Sequence, residues 1–139
     1  VLSLSPVKNT TEETKKILNI KKESIIKLVR KRYLDNQPMT IEQIEIQEEY
    51  IKGYSQEDFR DSLFHILENQ GINVAYSHQE VEAVLVDEKI STLLEVPVGF
   101  PLLKIISVTY TADAKPIFFD TSYYRADKYK VKSTLTRHY

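Results

Sequence analysis

Residues 14–42 read TKKILNIKKESIIKLVRKRYLDNQPMTIE, and residues 90–120 read ISTLLEVPVGFPLLKIISVTYTADAKPIFFD. The two stretches nearly repeat one another. Ile17-Leu18-Asn19-Ile20 falls on Leu93-Leu94-Glu95-Val96, and Ile25-Ile26-Lys27 falls on Leu102-Leu103-Lys104. Tyr33 then falls on Tyr110, and Pro38 on Pro116. Each copy reads as a short amphipathic helix, a long strand, a turn, and a strand opening at proline. A solenoid needs roughly three or more units to bury a core, so two copies mean a pseudo-duplicated single domain. The copies part where charge matters: Arg30 and Arg32 in the first stand against Ser107 and Thr109 in the second.

The rest of the chain fits around these copies. Residues 1–7 alternate like a strand and are stopped at Pro6. Asn9 or Thr10 caps a helix expected over residues 11–19, with Glu12 and Glu13 favourably placed at its N-terminus. Residues 25–34 form a strand, Asp35-Asn36-Gln37 a turn, and Pro38 opens a partner strand running to about Gln47. Ser55 and Asp58 make a capping-box-like start for a helix with Phe59, Leu63, Ile66 and Leu67 on one face. Gly71 stops it. A strand near residues 73–86, a helix over 88–95 and strands over 102–111 and 116–125 follow. The tail, residues 129–136, alternates weakly and is expected to be a last edge strand. Tight turns between strands give an antiparallel sheet, with the three helices expected to cover one face of it. The fold class is α+β.

Composition narrows the function. The 139 residues make one domain, large enough to bury its own core. A hydrophobic fraction of 42% and a charged fraction of 28% are those of an ordinary globular protein. No apolar run approaches the ~18 residues of a membrane span, and the chain is read as having no signal peptide. The lack of cysteine excludes disulfides and thiolate chemistry and fits a cytoplasmic protein. The chain starts at a strand-like Val1 rather than Met, which reads as a piece of something longer. A net charge of −1 gives no electrostatic footprint for nucleic acid, although residues 1–37 hold nine Lys/Arg against four Asp/Glu. Such lysines are more often a solvated face than a phosphate site.

Chemistry concentrates on the first hairpin. Side chains alternate across a strand, so Ile26, Leu28, Arg30, Arg32 and Leu34 share a face with Thr40, Glu42, Ile44 and Ile46 of the partner. Cations on a core-facing surface are costly unless paired. A loop centred on Gln37 would set Arg32 opposite Glu42 and leave Arg30 opposite Ile44, so that Arg32→Ala would harm stability more than Arg30→Ala. Arginine's planar fork suits carboxylate or phosphate oxygens. An anion pocket and a structural ion pair with Arg30 reaching solvent fit this spacing equally well. His65, His78 and His138 are scattered without metal-ligand spacing, and no nucleophile elbow or Gly-rich phosphate loop occurs. No metal, cofactor or catalytic residue is expected.

The ordered set of Val29-Arg30-Lys31-Arg32, Pro38 to Glu42, Ser62 to Leu67 with Gly71-Ile72, Pro101-Leu102-Leu103, Pro116-Ile117 and Ser122 to Tyr129 spans nearly the whole chain. It resembles the effector-binding (UTRA) domain of GntR-type transcriptional regulators of the HutC subfamily. The resemblance implies a chorismate-lyase-like fold, with a small-molecule effector held between the antiparallel sheet and its helices. It also implies a bacterial repressor or activator that works as a homodimer. Operator DNA would be bound only through an N-terminal winged helix-turn-helix domain outside this chain, with residues 1–139 forming one effector domain and no membrane contact.

By the same resemblance, Arg30 and Arg32 match paired arginines that hold a phosphate or acidic group in sugar-phosphate-responsive members. Glu42 matches an acidic residue that bonds ligand hydroxyl or amide groups. Ser62 and Phe64 match a Ser-x-Tyr of a pocket-lining helix, with Phe64 lacking the hydroxyl. Tyr124 matches a pocket tyrosine. Phe118 stands where many relatives have a glutamate after Pro-Ile, which makes the expected pocket more apolar. The alternatives are a dimerisation module without a ligand, or a lyase-like enzyme by fold analogy, which confers no activity by itself.

Overall fold

The computed structural model describes residues 3–6, 25–55, 58 and 63–136. The helix expected over residues 11–19, together with Phe59 and Ser62, lies outside them.

Both repeats fold as strand hairpins. β2 (Ile25–Leu34) and β3 (Gln37–Gln47) form the first, while β5 (Pro101–Thr111) and β6 (Pro116–Arg125) form the second. With β1 (Ser3–Pro6) and β4 (Val74–Leu85) they make an antiparallel six-stranded sheet ordered β1-β2-β3-β6-β5-β4. That order reads as one half, β1-β2-β3, set against the other, β6-β5-β4, by a two-fold axis normal to the sheet.

The register obeys this symmetry. Gln43 pairs with Thr121, and both follow the proline that opens their strand by the same spacing. Arg30↔Glu42 in one half corresponds to Ser107↔Asp120 in the other, and Leu28↔Ile44 to Ile105↔Ser122. Each hairpin sets its tyrosine against its proline, Tyr33↔Pro38 and Tyr110↔Pro116, with a register shift just before the tyrosine. The duplication seen in the sequence is therefore a duplication of strand pairing.

The first turn contains two residues. Asp35 and Asn36 both take positive φ, 50° and 64°, the twist that two-residue hairpins need. Arg30 consequently faces Glu42, and Arg32 faces Thr40. The expected register, centred on Gln37, was off by two residues. A two-residue slip preserves the faces but changes the partners.

Two helices pack on opposite faces, which corrects the expectation that helices cover one face. α1 (Leu63–Asn69) sets Leu63, Ile66 and Leu67 against Leu28, Ile44, Ile46 and Phe118. α2 (Glu88–Leu94) sets Ile90 and Leu94 against Ile41 and Leu102 on the other side. The physical reason lies in β3, where Ile44 and Ile46 point one way and Ile41 the other, all buried. A central strand that buries apolar residues on both sides needs cover on both, here for the second side at its Ile41 end.

Helix ends follow their sequence signals. Asp87 caps α2 by accepting from the Ile90 N–H at 2.9 Å, and Glu95 ends it at φ 56°. Before α1, the Asp58 carboxylate accepts from the Ser55 N–H at 2.6 Å, as the capping-box reading required. The Ile72 N–H reaches back to the Leu67 carbonyl around Gly71, at φ 78°. The tail over residues 129–136 forms no strand, contrary to expectation. Among the described residues no helix is long and apolar enough to cross a membrane.

Candidate functional site

The two-fold axis passes through the floor of a cavity of about 550 Å³, within the usual range for small-molecule sites. Strands β2 to β6 supply the floor, Leu63 and Phe64 of α1 supply a wall, and Tyr129 and Val131 of the tail close one side. Arg30, Arg32, Glu42, Phe64, Phe118 and Tyr124, singled out from sequence, all line it. Ser62 lies outside the described residues.

At one end Glu42 bridges both arginines. Its Oε2 accepts from Arg30 Nε at 3.1 Å and Nη2 at 2.5 Å, and its Oε1 accepts from Arg32 Nε at 2.7 Å. Arg30 is buried at 8% exposure, so it does not reach out to solvent. Arg32 keeps 47% of its side chain exposed. The sequence reading paired Arg32 with Glu42, and that pair is present, but it set Arg30 opposite Ile44 without a partner, whereas Arg30 itself faces and pairs with Glu42.

At the other end the two-fold equivalents are smaller and neutral. Ser107 and Thr109 are buried where the first half has Arg30 and Arg32, and the Thr109 hydroxyl lies 2.9 Å from that of Ser77. Asp120 occupies the place of Glu42 but faces Ser107 instead of an arginine. Burial, reinforced by the nearby Glu42 charge, pushes the Asp120 carboxyl up to about 7. Arg30 and a hydrogen bond from Ser122 pull against that rise. Burial likewise pushes the Tyr124 phenol up to about 12, with Glu42 adding to the effect, so its hydroxyl stays protonated.

Sequence reading missed Asp120. It took Phe118 as the loss of a carboxylate, yet Phe118 and Asp120 share a face and both line the cavity. The repeat carried the signal, since superposing Pro38 on Pro116 superposes Glu42 on Asp120. Phe118 is core and buried at 3%, its ring 6.0 Å from that of the half-exposed Phe64. Tyr124 stacks on Tyr129 with ring centroids 4.1 Å apart, which holds the start of the tail over the cavity.

The arrangement can bind without reacting. With Asp120 protonated, the two guanidiniums against the one Glu42 carboxylate leave a single positive charge at one end. Carboxyl and hydroxyl groups at the other end donate and accept hydrogen bonds. Among the described residues no cluster of three His, Asp or Glu side chains could hold a metal ion.

Residues 1–130 match the UTRA domain family. The chain belongs to that family. The sequence resemblance implied the same domain family. The chain is 29% identical over 123 residues to the HTH-type transcriptional repressor NagR of Bacillus subtilis, covering 87% of this chain and 51% of that protein. The UTRA chain thus spans about half the length of this curated relative. The fold is shared with a GntR-family transcriptional regulator from Enterococcus faecalis at TM-score 0.89 and 22% identity, over 96% of this chain and 97% of that one. It is shared equally with the possible regulator YydK of B. subtilis, at TM-score 0.89 and 23% identity, over 98% of this chain and 60% of that one.

Proposed function

We propose that this UTRA domain senses a small anionic metabolite, such as a phosphorylated sugar, in the cavity over the two-fold axis. The observation that carries this reading is the Arg30–Glu42–Arg32 cluster, built into the floor of a cavity of about 550 Å³. The acidic group of the effector docks against Arg32, whose outer guanidinium nitrogens are open, and against the field of Arg30. Hydroxyl groups of the effector meet Asp120 and Ser107 at the far end, and Tyr124 on the Arg32 side. Occupancy is transmitted through a homodimer to a winged helix-turn-helix domain outside this chain, so that two sites are coupled through two states. Residues 1–139 make one effector domain of a cytoplasmic repressor, in line with the name of the B. subtilis relative. The domain binds and does not catalyse.

A thermal-shift screen against sugar phosphates, amino-sugar phosphates, nucleotides and small organic acids tests the reading. Ligand at ~100 times its dissociation constant adds about 2.7 kcal/mol of stability, a shift of several degrees. The expected hit disappears in Arg32→Ala, which leaves the fold intact. A hit indifferent to Arg32→Ala would refute the anion site. Silence from every anion would favour a dimerisation module without a ligand.

A further inference from the structure

The two-fold axis runs through the Gln43–Thr121 pair, so Glu42 and Asp120 stand on either side of it. They are diagonal neighbours on the cavity side of β3 and β6, Glu42 opposite Ser122 and Asp120 opposite Ile44. Diagonal positions lie roughly 7–8 Å apart, close enough for like charges to repel in a partly enclosed site. The duplication therefore brings two carboxylates together, while the arginines belong to one half only. Glu42 holds both of them, and Asp120 faces Ser107.

Among the described residues that line the cavity, the charges cancel when both carboxylates are ionised. Arg30 and Arg32 from β2 offset Glu42 from β3 and Asp120 from β6. The other ionisable groups facing Asp120 there are the phenols of Tyr124 and Tyr129, while β4, β5 and α1 bring none to the lining. A cavity without net charge holds an anion poorly. Protonation of Asp120 leaves one positive charge in it, and burial with Glu42 nearby already pushes that carboxyl up to about 7. An anion at the arginines places a further negative charge near Asp120 and pushes it the same way.

We propose that the cavity takes up its anionic effector together with one proton, and that Asp120 receives it. The inference rests on the anion site proposed above and adds its regulation by pH. Binding that consumes a proton is tightest in acid and weakens as pH rises through neutrality. The proton also changes what Asp120 recognises. A carboxylic acid donates a hydrogen bond to an ether, carbonyl or hydroxyl oxygen, whereas a carboxylate only accepts.

Inorganic sulfate, which keeps its charge from acid to alkaline pH, is the probe. It avoids the titration of a phosphate ester itself, whose second pKa is about 6. Methyl NMR of Ile44 and Ile105, both in the cavity lining, reads sulfate affinity at constant ionic strength. Affinity at about pH 5.5 is expected to exceed that at about pH 8.5 by about tenfold, the effect of a one-unit rise in a carboxyl pKa. In the unaltered chain, carbon NMR of the Asp120 carboxyl should give a midpoint about one unit higher with sulfate than without. Asp120→Asn is expected to bring the affinities at the two pH values within about twofold of each other. Equal affinities in the unaltered chain, or an Asp120 midpoint that sulfate leaves in place, would overturn the proton coupling. The anion site would still stand if sulfate binding were lost in Arg32→Ala. Sulfate binding that survives Arg32→Ala, or no binding at either pH, overturns both.

Discussion

Glu42 and Asp120 occupy the same place in the two halves of the sheet, but only Glu42 faces arginine. Glu42 accepts hydrogen bonds from Arg30 and Arg32, whereas Asp120 lies opposite Ser107. One carboxylate is held by two ion pairs, and for the other burial is the largest influence. Most of the chemistry of the cavity follows from that difference.

Stability should respond unequally to the two arginines. Arg30→Ala leaves the enclosed Glu42 without its closest cation and is expected to cost about 3 kcal/mol. Arg32→Ala removes a half-exposed partner and should cost less than ~1 kcal/mol. Urea unfolding of both variants measures the gap, and equal losses would contradict the pairing.

Asp120 makes stability fall as pH rises. Its folded pKa of about 7 lies above the ordinary 3.8, so the folded chain holds the proton more tightly than the unfolded one. Between those values the native state binds more protons, and stability declines as pH increases through the window. Above about 7 the loss is complete. Asp120→Asn removes it, and should raise stability at pH 8 by on the order of a few kcal/mol while changing little at pH 4. Thermal melts from pH 4 to 8 would reveal a flattened profile, and an unchanged slope would show that Asp120 is not the titrating group.

The paired phenylalanines should separate packing from access. Phe118→Ala opens a hole in the core at a residue 3% exposed, and should cost about 3–5 kcal/mol. Phe64 is 44% exposed, and its truncation should cost less than half as much while widening the cavity. Chemical denaturation of the two variants gives the comparison.

Asn36→Gly should be neutral or stabilising by a few tenths of a kcal/mol, since Asn36 sits at φ 64° in a two-residue turn that favours glycine there. Asn36→Val should cost at least ~1 kcal/mol. Melting temperatures of the two variants would expose a wrongly assigned turn if their order were reversed.

Strand positions were legible because apolar residues, prolines and turns mark them locally. β2 and β6 begin and end where alternation and Pro116 placed them. Register was not legible, because it depends on whether Asp35 and Asn36 both take left-handed backbone and on the shift beside Tyr33. Which face each helix covers was hidden for another reason: Ile41 is buried on a side of β3 that goes on through the polar Gln43, Glu45 and Gln47. Arg30, Arg32, Glu42, Phe118 and Tyr124 line one cavity because they share strand parity, which survives a two-residue slip. Asp120 escaped because a buried carboxylate with no arginine on its own or its paired position in the second hairpin has no local signature. Only comparison with the other half of the chain exposes it.

An axis running through Gln43 and Thr121 in the cavity floor gives the backbone no preference between a guest lying head-first and one lying tail-first. Within the sheet the side chains break the tie, chiefly Arg30 and Arg32 against Ser107 and Thr109, while α1 and the tail close their own sides of the cavity. The polarity of the cavity floor is thus written in a handful of interchangeable positions, on paired strands whose backbone is indifferent to it. Trading those pairs across the axis, with Glu42 and Asp120 exchanged as well, should keep the fold and turn the same guest end for end by half a revolution. A crystal structure of the traded variant with its guest would display the reversal directly.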